Sequence, residues 1–194
     1  MIKRVCVFCG SSRGSRPAYV KAAHDMGEAL VRRGAGLVYG GGCVGLMGEL
    51  ADVVMAAGGE VIGVIPHALV AREVGHRGIT ELLIVRSMHE RKAKMMELAD
   101  GFIALPGGFG TFEEFCEVVT WAQLGLHQKP CGLLNVEGYY DSLLNLFNKA
   151  VDDGFIHPKV RELVLEATDA DVLLDRFAAY EPPTVAKWIE RDEA

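Results

Sequence analysis

The chain has 194 residues, half of them hydrophobic, with 24% charged residues, 23 glycines and a formal net charge of −6. Those values fit one domain large enough to bury a substantial core, and they exclude a disordered chain, a collagen-like repeat and a small disulfide scaffold. The acidic balance argues against nucleic acid or an anionic membrane as partner, because both demand a broad cationic face.

In chain order, short β-branched runs alternate with longer amphipathic stretches. Residues 5–8 predict a strand that ends in Cys9-Gly10-Ser11-Ser12. Cys6 and Cys9 make a C-x-x-C on that strand, where odd spacing sends them to opposite faces, whereas a redox pair opens a helix. The five cysteines are odd in number and follow no framework. No apolar run reaches bilayer length, and the first residues lack the long apolar stretch of a signal peptide. A protein with reduced thiols in the cytoplasm is the expectation.

A helix over 18–33 and a strand over 37–39 precede Gly40-Gly41-Gly42-Cys43-Val44-Gly45-Leu46-Met47-Gly48, which opens a helix over 45–57. Gly40, Gly42 and Gly45 match G-x-G-x-x-G. A dinucleotide site, however, wants an acidic residue closing the next strand, and the strand over 61–65 runs into Pro66 instead. No glycine is followed directly by lysine, so a Walker loop is absent. Residues 66–80 are less regular.

Next come a strand over 82–85 and a helix over 88–99. Met88, Arg91, Lys92, Met95, Met96 and Ala99 share one face of that helix, which places two cations on an apolar stripe. Buried cations need partners, and these stand near the helix start, where a phosphate or a carboxylate such as Glu114 would satisfy them. The methionines read first as core filler, and Met88, at the crevice end, is the one placed to contact a flat base.

A strand over 102–105 leads into Pro106-Gly107-Gly108-Phe109-Gly110-Thr111-Phe112-Glu113-Glu114 and a helix over 111–124. Phe112, Phe115, Cys116, Val119 and Ala122 repeat at helical spacing and should face the core. Glu113, Glu117 and Thr120 then lie opposite, and Glu114 stands at the border of the buried surface. A partly desolvated carboxylate there can orient water or stabilise a cationic transition state. A strand over 131–134 and a helix over 139–153 follow.

The alternation predicts an α/β fold: a single Rossmann-like domain over 1–180, its parallel sheet carrying helices on both faces, with a peripheral tail over 181–194. Ligands of such sheets bind beyond the carboxyl ends of the strands. Three glycine-rich junctions at that edge offer close backbone approach and helix N-termini, which suit a phosphate. No H-E-x-x-H, second cysteine pair or G-x-S-x-G supports metal hydrolysis or serine-ester chemistry.

The segment from Pro106 to Glu114 resembles the PGGxGTxxE motif of the LOG ("Lonely Guy") family, cytokinin riboside 5′-monophosphate phosphoribohydrolases often mislabelled as lysine decarboxylases. The likeness extends through Cys9-Gly10-Ser11-Ser12, the GGGxxGLMG of Gly40 to Gly48, Val61-Ile62-Gly63-Val64-Ile65-Pro66, Met88-His89-Glu90-Arg91-Lys92, Thr120-Trp121-Ala122-Gln123-Leu124-Gly125 and Gly132 to Tyr140. It covers most of the chain up to about Ile156, with departures in residues 76–87 and in the tail.

The resemblance implies hydrolysis of the N-glycosidic bond of N6-substituted AMP, and of AMP, with no cofactor and no catalytic metal. It implies Arg91 and Glu114 as the catalytic pair. Substrate binding would fall to Glu73, Lys92, Gly108, Phe109, Gly110, Thr111, Phe112, Glu113 and Thr120, with Met88 beside the base. Family members form dimers with the site near the subunit interface, so a homodimer is expected. The alternative is a carrier that binds a nucleotide or phosphorylated cofactor without cleaving it. A pyridoxal-phosphate decarboxylase has less support, since nothing marks a Schiff-base lysine.

Overall fold

The computed structural model describes residues 2–70 and 75–183. Its elements run β1 (Arg4–Phe8), α1 (Pro17–Arg32), β2 (Gly36–Tyr39), α2 (Gly45–Ala56), β3 (Val61–Pro66), α3 (His67–Val70), β4 (Glu81–Val85), α4 (Met88–Leu98), β5 (Gly101–Ala104), α5 (Phe109–Gln123), β6 (Cys131–Leu134), α6 (Asp141–Asp152), α7 (Pro158–Arg161), β7 (Val164–Ala167) and α8 (Ala170–Ala178). A 3₁₀ turn, Val136–Gly138, precedes α6.

The described strands form one seven-stranded sheet in the order β4-β3-β2-β1-β5-β6-β7, and each neighbouring pair is parallel. The inner strands β2, β3, β5 and β6 are buried along their whole length, which is why they read as continuous apolar runs. One core layer joins residues of α1, α2 and α8 to one face of the sheet. A second joins residues of α4, α5 and α6 to the other. Cys6 belongs to the second layer and Cys9 to the first, so the two thiols of the C-x-x-C do face apart.

From β1 the chain winds outward through β2 and β3 to β4, then returns by α4 to β5 on the other side of β1. That reversal opens a crevice between the loops following β1 and β5, where doubly wound sheets hold their ligands. The junctions are tied together: Gly10 N–H donates to the Pro106 carbonyl (3.1 Å), and Leu46 N–H donates to the Gly10 carbonyl (3.0 Å).

Four elements, α3, α7, β7 and α8, were not legible from periodicity. The irregular stretch 66–80 contains α3, then an antiparallel bridge between Gly42 and Gly75 that straps the second glycine junction. The helix expected over 139–153 starts only at Asp141, because Glu137 takes a left-handed conformation (φ 49°) in the preceding turn. Beyond it, β7 and α8 complete the sheet and its first layer. Arg33 of the α1 terminus pairs with Asp171 and Asp175 of α8, an ion-pair cluster joining residues far apart in sequence. Among the described residues no helix is long and apolar enough to cross a membrane.

Candidate active site

The helices α4 and α5 lie on the same face of the sheet, and each starts at the crevice edge. Ser87 caps α4, its hydroxyl accepting from Glu90 N–H at 3.1 Å. α5 is different, because its N-cap is Gly108, which has no side chain to close the first turn. The first-turn amides of a helix lack intrahelical acceptors, so here they are left to whatever occupies the crevice, at the positive end of the helix dipole.

A cleft of about 220 Å³ lies there, lined among others by Ser11, Gly40, Met47, Arg91, Thr111 and Glu114 together with Gly108, Phe109 and Gly110. Arg91 is 6% exposed and Glu114 is 8% exposed. Arg91 Nη1 donates to Glu114 Oε1 at 3.0 Å, Nε donates to the Val64 carbonyl at 3.0 Å, and Nη2 approaches the Gly40 carbonyl at 3.4 Å. The guanidinium is therefore held by one carboxylate and two backbone carbonyls, one within β3 and one just past β2, the arrangement that a buried cation requires. It also explains Gly40: a Cβ there would collide with Arg91 Nη2. By contrast, a Cβ at Gly108 or Gly110 would meet nothing within 4 Å, so these two glycines present bare backbone to the cleft.

The stripe expected on α5 is rotated. Thr111, Glu114, Phe115, Val118 and Ala122 are its buried residues, and Cys116 is exposed. Glu114 thus sits on the buried face itself, matched by Arg91 from a helix 23 residues earlier. The stripe expected on α4 holds, with Arg91 and Met95 buried on it.

The cleft gathers Arg91, Glu114, Gly108, Phe109, Gly110 and Thr111. It does not gather every expected binding residue. Lys92 turns aside to pair with Glu113 and Glu117. Phe112 packs against Tyr139 and Tyr140. Thr120 lies on the outer face of α5, its hydroxyl donating to the Cys116 carbonyl at 2.7 Å. Met88 does not line the cleft; it stands 40% exposed with its sulfur 4.0 Å from Arg91 Nη1, whereas Phe109, which does line it, is 92% exposed. Glu73 lies outside the described residues.

Two residues that sequence reasoning missed hold the loop from behind. Tyr140 Oη donates to the Leu105 carbonyl at 2.6 Å, and Tyr139 Oη donates to the Gly107 carbonyl. Burial pushes the Tyr140 phenol well above its ordinary value, which keeps it a donor. The available signal was the doubled tyrosine at an apolar helix start, since a buried phenol needs an acceptor. Cys9 also reaches the cleft, but burial, reinforced by the Glu114 carboxylate, pushes its thiol far up, so it stays protonated and is a poor nucleophile.

A family described as "Possible lysine decarboxylase" matches residues 47–177. The chain is 54% identical over 180 residues to the cytokinin riboside 5′-monophosphate phosphoribohydrolase LOG7 of Arabidopsis thaliana, covering 93% of this chain and 83% of that relative. It is 56% identical over 180 residues to the probable cytokinin riboside 5′-monophosphate phosphoribohydrolase LOGL9 of Oryza sativa subsp. japonica, covering 93% and 79%. Among solved structures, a molybdenum cofactor binding protein of Rippkaea orientalis aligns with a TM-score of 0.68 at 19% identity, over 92% of this chain and 97% of the other. The molybdenum cofactor carrier protein of Chlamydomonas reinhardtii aligns with a TM-score of 0.67 at 19% identity, over 93% and 100%. At such identity the structural likeness speaks for the fold alone.

Proposed function

The chain belongs to the LOG family of cytokinin riboside 5′-monophosphate phosphoribohydrolases, and on that premise we propose that it hydrolyses the N-glycosidic bond of N6-substituted adenosine 5′-monophosphates, and of AMP, to free base and ribose 5-phosphate. The observation that carries this reading is the buried Arg91–Glu114 pair beside an uncapped helix N-terminus in one cleft.

The 5′-phosphate binds at the first-turn amides of α5, where bare glycine backbone allows close approach. Its binding fixes the ribose over Glu114, so that orientation is settled before the bond breaks. As the base departs, positive charge builds on the ribose. The Glu114 carboxylate, in a site screened from bulk water, stabilises that charge and directs a water to C1′. The water's hydroxyl forms the new bond at C1′, and its proton ends on the departing base. Arg91, clamped by the Val64 and Gly40 carbonyls, holds the carboxylate in place and adds positive charge where the substrate is anionic.

The expected partner is this small nucleotide and a second copy of the chain. Support for the homodimer comes from the exposed apolar side chains of Met88, beside Arg91, and of Phe109, on the cleft, and from Thr120, which one chain alone leaves outside the cleft. A cytoplasmic location suits the five unbridged cysteines.

The test is base release. Purified protein should free base from N6-isopentenyladenosine 5′-monophosphate and from AMP, and Glu114→Gln should lower kcat by about 10²-fold or more while keeping the fold. Intact substrate in the presence of wild-type protein would refute the hydrolase reading.

A further inference from the structure

A second pocket, of about 300 Å³, lies beside the cleft. Both are lined by Gly10, Ser11 and Gly108, but Arg91, Glu114 and the first-turn residues of α5 line the cleft alone. A nucleotide held at those amides with its ribose over Glu114 therefore occupies the cleft and not the second pocket. The walls of that pocket are Tyr19 of α1, Leu46 of α2, Pro106 and Tyr139, with Ser12 and Arg13 from the loop after β1. Arg13 is the one charged residue lining it among the described residues. Its guanidinium pairs with Glu49 of α2, which also meets His24 Nε2 at 2.7 Å. With that charge answered, the pocket carries no net charge to recruit an anion.

The walls are set before any ligand arrives. A Cβ at Gly14, where φ is +72°, would collide with the Tyr19 ring, so glycine lets that ring close against the loop. Tyr19 meets Tyr139 edge to face, with ring centroids 5.7 Å apart, and Tyr139 Oη donates to the Gly107 carbonyl. Arg16 pairs with Glu137 at 3.0 Å, which ties the end of the same loop to the turn before α6. Ser12 Oγ accepts from Gly14 N–H at 3.2 Å, which leaves its own O–H to donate. Small-molecule sites have this make-up: about 300–1,000 Å³, apolar and aromatic walls, and a few fixed polar groups. A purine base matches it, being flat, neutral at pH 7 and edged by ring nitrogens that accept hydrogen bonds, and an apolar N6 substituent would extend along Leu46 and Pro106. We propose that this pocket is a second binding site, for a neutral purine base, and that it holds the base released in the cleft while the cleft takes another nucleotide.

The choice of ligand rests on the hydrolase reading, whereas the pocket itself does not. Glu114→Gln saturated with N6-isopentenyladenosine 5′-monophosphate keeps the cleft filled, so equilibrium dialysis of radiolabelled N6-isopentenyladenine then reads the second pocket alone. One base should bind per chain, with an affinity within about twofold of that found without nucleotide, because separate sites need not couple. Without nucleotide, Tyr19→Ala should weaken base binding about tenfold or more, since an aromatic wall is lost, while Tyr19→Phe binds as wild type does. Ser12→Ala removes one hydrogen bond at an exposed loop residue, so it should weaken binding about threefold and keep the fold even if Tyr19→Ala does not. Base that the nucleotide excludes from Glu114→Gln, or that wild type, Tyr19→Ala and Ser12→Ala bind equally, would sit in the cleft alone and overturn the proposal. No bound base at all would overturn it too. A wild-type protein that leaves the nucleotide intact would refute the hydrolase reading instead, and dialysis of the base against wild type, Tyr19→Ala and Ser12→Ala would still decide this one.

Discussion

Arg91 is the residue from which the site is organised. A cation on an apolar stripe is readable in sequence, because helical spacing alone puts it there. Its partners are only half readable: Glu114 is visible as a nearby carboxylate, whereas the Val64 and Gly40 carbonyls belong to backbone and carry no residue-type signal. Another buried titratable group lies away from the cleft. His127 is 4% exposed, its Nε2 donating to the Val118 carbonyl at 2.8 Å and its Nδ1 accepting from Lys129 N–H at 3.1 Å. Burial lowers it to about 4, against the opposing pull of the Val118 bond. The folded value is below the unfolded one, so the unfolded chain binds more protons in between. Stability from this group is therefore present above pH 6.5 and is lost as pH falls toward 4. Between pH 7 and pH 5 the loss should be about 2 kcal/mol. Denaturant titrations at the two pH values should show that much less acid sensitivity in His127→Gln. Equal sensitivity in the two proteins would contradict the assignment.

At the scale of elements, the glycines divide into two kinds. Gly40 is spaced for the Arg91 guanidinium, while Gly108 and Gly110 face open cleft. Gly40→Ala should displace Arg91 and lower kcat by about tenfold or more without unfolding the protein. Gly110→Ala should melt at or above the wild-type temperature, since alanine favours helix by about 0.5–1 kcal/mol. The same methyl group intrudes on the phosphate, so KM should rise. A variant with lower stability and unchanged KM would mean that Gly110 serves the helix rather than the ligand. Sequence located these junctions, because glycine clusters between periodic runs are unambiguous. It misplaced the α5 stripe, because Cys116 scores as apolar and Glu114 as polar, and only a tertiary pair can bury a carboxylate. It passed over β7 because four residues with a partly exposed pattern, Val164–Ala167, carry little signal without their β6 neighbour.

At the scale of the molecule, an acidic chain concentrates positive potential where a small anion needs it. The reversal between β1 and β5 opens the crevice, the uncapped α5 points its dipole into it, and Arg91 supplies the buried charge. The exposed Met88 and Phe109 lead us to expect a dimer in sedimentation velocity at micromolar concentration, and a strictly monomeric protein with full activity would contradict that expectation. The central claim is that a phosphate cradle and a carboxylate–guanidinium pair act together to break an N-glycosidic bond. Comparing kcat/KM for N6-isopentenyladenosine 5′-monophosphate with that for its riboside, by chromatographic quantification of free base, tests it most directly. The nucleotide should yield base and ribose 5-phosphate in equal amounts, and the riboside should react at least about 10²-fold less efficiently, because it forgoes the binding that orients the ribose. Equal efficiency for the two, or a nucleotide that raises the melting temperature and is recovered intact, would contradict the account.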